Sequence, residues 1–278
     1  FLVAYGHTLA WFEDSGLIAS KALLTGADIM DVQVGADGQL MARFSHLDWD
    51  ARVRDLTNGQ DRDIGQSRFV EKGAQFRPGN KDIAFISNRN GQDRLYLQTS
   101  QEVRPVSQAG KQVDAFIWNS DGERLFYLSD ERLWLTQLGQ ADSQIETPFT
   151  VNGLFQAQDQ QLLLSAKTES GPALIWYEPR ARNYQVLLPQ AVKWAQRIDG
   201  ETFITNTDAG QLRLYKAGKL ATIKGLPELT IQSHYLWRAD ATGRWHIYVQ
   251  DKRLNIWRYD PAKDKGEVIG QYDANALF

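Results

Sequence analysis

The sequence predicts an all-β protein, and three observations carry the prediction. First, similar short strands recur along the chain: "TLAWFE" (8–13), "ARVRDL" (51–56), "RLYLQT" (94–99), "RLWLTQ" (132–137), "ALIWYE" (173–178), "QLRLYK" (211–216) and "RLNIWR" (253–258). Aligning Leu9, Val53, Leu95, Leu133, Leu174, Leu212 and Leu254 gives steps of 44, 42, 38, 41, 38 and 42 by subtraction of residue numbers. Second, each copy follows an apolar partner strand, and turn formers join the two, as in a hairpin. Third, six of these pairs are preceded by another apolar segment that ends in a turn. A step of about 40 residues carrying four short strands is the signature of a β-propeller blade. The expected fold is thus a single domain over residues 1–278, a propeller of four-stranded antiparallel blades with seven preferred.

The first blade, residues 1–26, contains "LVAY" and "TLAWFE" but begins too late to supply an inner strand. The spare segment "YDANALF" (272–278) is expected to supply it, closing the ring and removing two exposed strand edges. Six full blades with an outlying N-terminal hairpin is the alternative. In the second blade (27–66), "VQVGADG" precedes "QLMARFS" and "ARVRDL", with Asp37-Gly38 as a tight-turn dipeptide. In the third (67–110), "AQFRPGN" precedes "DIAFISN" and "RLYLQT", joined by the turn Asn88, Arg89, Asn90 and Gly91. The fourth (111–150) repeats the plan as "FIWNSDG", "RLFYLS" and "RLWLTQ", with Asp121-Gly122 at the turn. In the fifth (151–190), "LFQAQDQ" leads into "QLLLSAK" and "ALIWYE" around Ser170-Gly171-Pro172. The sixth (191–228) reads "WAQRIDG", "TFITNT" and "QLRLYK", with Asp199-Gly200 and Ala209-Gly210. The seventh (229–271) reads "LWRADATG", "RWHIYVQ" and "RLNIWR".

With 278 residues, 42% of them hydrophobic, the chain can bury a substantial core. Its net charge is 31 − 34 = −3, so no overall basic field exists to meet a phosphate backbone, and direct nucleic-acid contact is not expected. The absence of Cys excludes disulfides, thiolate metal sites and a Cys nucleophile within this chain. No apolar stretch approaches the roughly 20 residues that cross a bilayer as a helix. Phe1 stands where a Met would begin a gene product, with no charged and apolar leader after it, so a leader or anchor is expected to have preceded the domain.

The stretch "FRPGNKDIAFISNRNGQDRLYL" resembles the repeat of TolB-type propellers, whose pattern runs F-S-P-D-G, two polar residues, I-A-F, then S-x-R-x-G and an I-Y pair. Phe76, Pro78, Gly79, Ile83, Ala84, Phe85, Ser87, Arg89, Gly91, Leu95 and Tyr96 occupy those places. A second copy, "WNSDGERLFYLSDERLWL", keeps Trp118, Ser120, Asp121, Gly122, Leu125 and Ser129 but has lost the Arg-x-Gly of the loop. The motif covers residues 74–138, and the other blades follow in hydrophobic outline. Such repeats occur in TolB translocation proteins, in propellers attached to prolyl-oligopeptidase hydrolases, and in periplasmic sensory domains of membrane-anchored winged-helix regulators resembling CadC. The resemblance implies a non-enzymatic periplasmic sensory or protein-interaction domain, the C-terminal part of such a regulator. DNA binding would then belong to an N-terminal domain, and membrane attachment to a segment before Phe1. The alternatives it implies are a TolB-like envelope scaffold and a hydrolase-associated propeller.

The residues offer little catalytic chemistry. There is no G-x-S-x-G, and His7, His46, His234 and His246 show no H-E-x-x-H pairing. The acidic groupings "DARVRD" and "DRD" lack an EF-hand pattern and read as solvated blade edges. No metal or cofactor is expected. Phe76, Trp118, Phe155 and Trp237 share one place on the inner strands, and Trp11, Trp134, Trp176 and Trp257 one on the third strands. Both sets read as packing between blades. Arg89 is expected to bridge neighbouring loops instead of facing a partner. Binding is expected where the loops entering the inner strands converge, because several blades meet there. By repeat alignment those residues are Asp31, Lys72, Asp114, Asn152, Lys193 and His234, a mixed ring suited to a protein, a peptide or a small periplasmic ligand.

Overall fold

The computed structural model describes residues 2–5, 8–13, 16–22, 28–34, 40–45, 52–54, 60–65, 67, 69–108, 110–199, 202–206, 212–216, 218–223, 237–239, 245–250, 253–260 and 263–273. Two compact units divide the chain: Phe1–Asp130 with Trp134–Gln144, and Glu131–Leu133 with Ile145–Phe278.

In the first unit, β1 (Leu2–Tyr5), β2 (Thr8–Glu13) and β3 (Gly16–Ala22) form a three-stranded antiparallel sheet. β4 (Asp28–Val34) pairs with β5 (Leu40–Ser45), and β6 (Arg52–Arg54) with β7 (Asp61–Asp63). A four-stranded sheet follows, made in chain order from β8 (Glu71–Phe76), β9 (Ile83–Ser87), β10 (Arg94–Gln98) and β11 (Val103–Pro105). The next repeats that order with β12 (Ala115–Trp118), β13 (Arg124–Ser129), β14 (Arg132–Gln137) and β15 (Ser143–Ile145).

The second unit continues the plan. β16 (Thr150–Gln158), β17 (Gln161–Thr168), β18 (Gly171–Glu178) and β19 (Asn183–Leu188) form one sheet. β20 (Trp194–Asp199), β21 (Thr202–Asn206), β22 (Leu212–Lys216) and β23 (Lys219–Thr222) form another. β24 (Trp237–Ala239), β25 (Trp245–Gln250), β26 (Arg253–Asp260) and β27 (Lys265–Asp273) form the last. Inner strands of successive sheets lie side by side: β8 with β12, β16 with β20, and β20 with β24. This is the propeller arrangement of four-stranded antiparallel blades that the repeat predicts.

The expected seven blades and their closure are not what the described sheets display. Among the described residues, four four-stranded sheets follow one another in sequence between Glu71 and Thr222, and β24–β27 make a fifth. The second expected hairpin fails, since β5 and β6 belong to different two-stranded sheets. Hydrophobic spacing counts apolar runs, whereas a blade is made by ladder hydrogen bonds between them. Tyr272 and Asp273, the first residues of the expected closing segment, instead pair with Leu254 and Arg253 as the end of outer strand β27. Residues 274–278 lie outside the described ones.

Period-two geometry explains why the central strands read as continuous apolar runs. Successive side chains point to opposite faces, and here both faces are covered. All five residues of β9 are buried. Ala84 and Ile86 join Leu95, Leu97, Phe116, Trp118, Leu125 and Tyr127 in one cluster, while Ile83 and Phe85 turn to Ile64 and Tyr96 in another. β21 splits in the same way, Phe203 meeting Leu163, Leu174 and Ala195, and Ile204 meeting Leu212 and Tyr259. Trp134, Trp176 and Trp257 pack against these clusters, as their recurrence on the third strand suggests. Among the inner-strand aromatics, Trp118 is buried and Phe155 partly so, but Phe76 is 55% exposed, against expectation. The side chains of Trp11 and Trp237 lie outside the described residues.

Turn chemistry sets the hairpins. The Gly91 N–H donates to the Asn88 carbonyl over 2.8 Å, with Gly91 in the left-handed region. Where the fourth blade has lost Arg-x-Gly, its hairpin closes on the two residues Asp130 and Glu131, both at positive φ, as a type I′ turn requires. The Asp121-Gly122 turn also joins blades: Arg77 Nε donates to the Gly122 carbonyl over 2.7 Å, and Arg77 pairs with Glu123 at 2.9 Å. Gly122 has φ of 68°, and a Cβ there would stand 2.8 Å from the Pro78 carbonyl oxygen. Gly122→Ala is therefore expected to lower stability by about 2 kcal/mol, the scale of a strained left-handed residue, measured by urea denaturation. An unchanged midpoint would show that the two turns do not need this close approach.

Candidate functional site

Sequence reasoning placed its candidates at the entries to the inner strands. Lys72 lies on β8 opposite Ile86, with its side chain 45% exposed and its ammonium 2.7 Å from Asp93 Oδ2. Asp114 immediately precedes β12, is exposed, and donates its backbone N–H to the Leu128 carbonyl over 2.9 Å. These two repeat-equivalent residues of adjacent blades are brought within electrostatic reach of each other, together with Asp93 and Asp130.

That neighbourhood sets the charge state of Asp114. Its carboxyl is held above the ordinary carboxylate range, first by partial burial and then by the charges of Asp130 and Asp93. The Asp130 backbone N–H and the Lys72 ammonium pull the other way. Raising the folded-state value means that the folded form binds the proton more tightly than the unfolded chain. The contribution to stability is then fully present at acid pH and is lost as pH rises through the folded-state value. Asp114→Asn is accordingly expected to be neutral or slightly stabilising at pH 7, by no more than about 0.5 kcal/mol. The difference should vanish below the carboxylate range, and melting temperatures of both proteins across pH 3 to 7 check the sign. A variant less stable at pH 7 would refute this account.

In the second unit, Asn152 on β16 and Lys193 just before β20 are both exposed, and β16 and β20 are neighbours. Asn152 sits within a β-bulge, between Val151 and Gly153 in the ladder with β17. Asp31 is on β4, between residues that pair with Phe44 and Ala42, and faces Arg43 in register; its side chain, like the whole of His234, lies outside the described residues. Sequence reasoning missed Asp93 and Asp130. Asp130 had a signal, because an acidic residue opening a two-residue hairpin is also a residue that tolerates positive φ. Arg89 turns back into its own sheet: it ties its turn to strand β8 and to the chain before it, with Nη2 3.0 Å from Glu71 Oε1 and 3.4 Å from the Gly65 carbonyl, where a bridge between neighbouring loops was expected. Among the described residues, no three His, Asp or Glu side chains gather as a metal site.

No known protein-family profile matches the chain, and no curated protein matches it either. Solved structures do. TolB from Acinetobacter baumannii aligns with a TM-score of 0.60 at 10% identity, covering 87% of this chain and 79% of that one. A protein described as a TolB from Agrobacterium tumefaciens aligns with a TM-score of 0.61 at 10% identity, covering 80% and 88%. A puromycin-hydrolysing peptidase of Mycobacterium tuberculosis aligns over 99% of this chain but only 53% of its own, with a TM-score of 0.56 and 10% identity. At these identities the likeness establishes the propeller fold and leaves the activity to be argued from residues.

Proposed function

We propose that this chain is a non-enzymatic protein-interaction propeller of the cell envelope, a periplasmic scaffold that binds a protein or peptide at the entries to its inner strands. The observation that carries the reading is the convergence of Lys72 and Asp114, exposed residues at one repeat position on adjacent blades. Mixed charge on a shared surface suits polar protein contacts and orients partners more than it adds raw affinity. The TolB-type neighbours support the scaffold setting through their fold. Attachment to a winged-helix regulator rests on the repeat motif alone, so the scaffold is preferred. Sensing remains part of the proposal only in the sense that a bound partner reports its presence.

The test is photo-crosslinking in intact envelopes from single positions at residues 72, 114, 152 and 193, with exposed Lys219 on β23 as control. The expected result is one discrete partner captured from the inner-strand positions and not from residue 219. Equal labelling from residue 219, or none from the other four, would overturn the reading.

A further inference from the structure

The described residues hold two Asn-Gly pairs, Asn90-Gly91 and Asn152-Gly153, and both asparagines are exposed. A third pair, Asn58-Gly59, lies outside the described residues. Asparagine is a thermolabile residue, and a glycine after it leaves the joining peptide bond unhindered by a side chain. By sequence the two pairs are equals. We propose that Asn90 is a site of spontaneous deamidation and that the fold protects Asn152 from the same change. The proposal is separate from the interaction reading, in which Asn90 has no part.

The reaction consumes only water. The Gly91 backbone nitrogen, its proton given up, attacks Asn90 Cγ and closes a five-membered succinimide, and the carboxamide nitrogen leaves as ammonia carrying that proton. Water then opens the ring at one of two bonds. Breaking the new bond leaves aspartate. Breaking the original peptide bond leaves isoaspartate, whose main chain runs through the former side chain and is one methylene longer. Either product adds a negative charge beside Arg89, the cation that neutralises the buried Glu71.

Ring closure requires an untethered carboxamide and a peptide bond free to turn toward it. Asn90 meets both conditions. It is the third residue of the turn from Asn88 to Gly91, with neither Arg89 nor Asn90 at positive φ, as in a type I turn. Its carboxamide makes no hydrogen bond among the described residues. The attacking nitrogen is restrained by the bond from Gly91 N–H to the Asn88 carbonyl, 2.8 Å long, but that bond lies at a hairpin tip and opens without parting β9 from β10. The other asparagines of this blade are tethered: Asn88 Oδ1 accepts from the Val70 N–H over 3.1 Å, and Asn80 Oδ1 accepts from those of Lys81 and Asp82 over 2.6 and 3.1 Å.

Asn152 differs in its backbone. It lies inside the ladder that runs from Thr150 opposite Lys167 to Gln158 opposite Gln161, on an inner strand with β20 beside it. Gly153 is hemmed in, since a Cβ there would stand 2.8 Å from Phe155 Cζ. Bringing the Gly153 nitrogen onto Asn152 Cγ parts β16 from β17, and core strands open at a far higher free energy than turn tips.

The test incubates the folded protein at 37 °C and pH 8 for several weeks, with a parallel sample in urea above the unfolding transition. Digestion at acid pH then gives the peptides that carry residues 90 and 152, and mass spectrometry follows the gain of about 1 Da that exchange of ammonia for water brings. In the folded protein, residue 90 is expected to convert at least about 10-fold faster than residue 152, the difference between a turn tip and a core strand. In urea the two rates should agree within about 2-fold, because the same dipeptide then sits in an open chain. Isoaspartate should be the larger product at residue 90, since direct hydrolysis of the carboxamide yields aspartate alone, and the rate should fall at pH 6, where fewer amide nitrogens lose their proton. Equal rates in the folded protein, a faster residue 152, aspartate as the sole product, or a residue 90 that stays intact while its peptide converts in urea would overturn the proposal.

Discussion

Arg89→Ala is expected to lower stability by about 3 to 5 kcal/mol, the range for breaking a buried ion pair from one side. The Glu71 side chain has 0% exposure and that of Arg89 17%, so neither charge is well hydrated once the pair is broken. Ser67 Oγ donates to the same Glu71 oxygen, Arg89 Nε donates to Ser87 Oγ over 3.2 Å, and the guanidinium lies 4.8 Å from the Tyr96 ring. Even the chain before β8 is shaped to this pair: Gly65 has φ of 78°, and a Cβ there would stand 2.9 Å from Glu71 Cγ. Because the cost comes from a stranded carboxylate, Glu71→Gln combined with Arg89→Ala should recover part of it. Arg89→Lys should fall between, keeping the charge and losing the fork. Denaturant titration of the four proteins decides the matter; a loss under about 1 kcal/mol for Arg89→Ala would mean that water reaches Glu71.

Trp118→Ala should be nearly as damaging, and its repeat counterpart Phe76→Ala nearly silent. Trp118 closes β12 and is 6% exposed, in one cluster with Ala84, Ile86, Leu95 and Leu97 of the preceding blade. Truncating a buried Trp removes its transfer free energy and leaves a cavity, together about 3 to 5 kcal/mol. Phe76 closes β8 in the same way but is 55% exposed, and its change to Ala should cost within about 0.5 kcal/mol. The difference lies in what each blade has to lean on. Ile83, which faces Phe76 in register, belongs to a smaller cluster to which the chain before β8 contributes Ile64. Comparable losses for the two variants would show that repeat position, and not cover, sets the energetics.

The bounds of β2, β13 and β14 were legible to the residue, and β13 shows why: a central blade strand covered on both faces must be a run of large apolar side chains. The outer strands were not. β11, β15 and β23 have three or four residues, mostly exposed, and a short solvated strand carries no hydrophobic period. Repeat alignment put Lys72 and Asp114 at one position of adjacent blades, and the structure brings the two near each other, since the fold carries equivalent positions to equivalent places. It could not find Asp93 and Asp130, which approach Asp114 from hairpin turns. Contacts between side chains far apart in sequence leave no trace in spacing.

The outer strands also govern how copies of the protein behave toward one another when crowded. Pro105 faces Tyr96 across β10 and β11, and the neighbouring bond from Val106 N–H to the Leu95 carbonyl turns the proline nitrogen outward, so that edge lacks a donor where a second sheet would zip on. β23 carries Lys219 and β27 carries Lys265, charges that discourage stacking of sheets. β19, "NYQVLL", has six residues, neither Pro nor Lys, and Val186 45% exposed. Self-association at high concentration should therefore begin along β19, and a single lysine at position 186 is the least costly means of keeping the protein monodisperse.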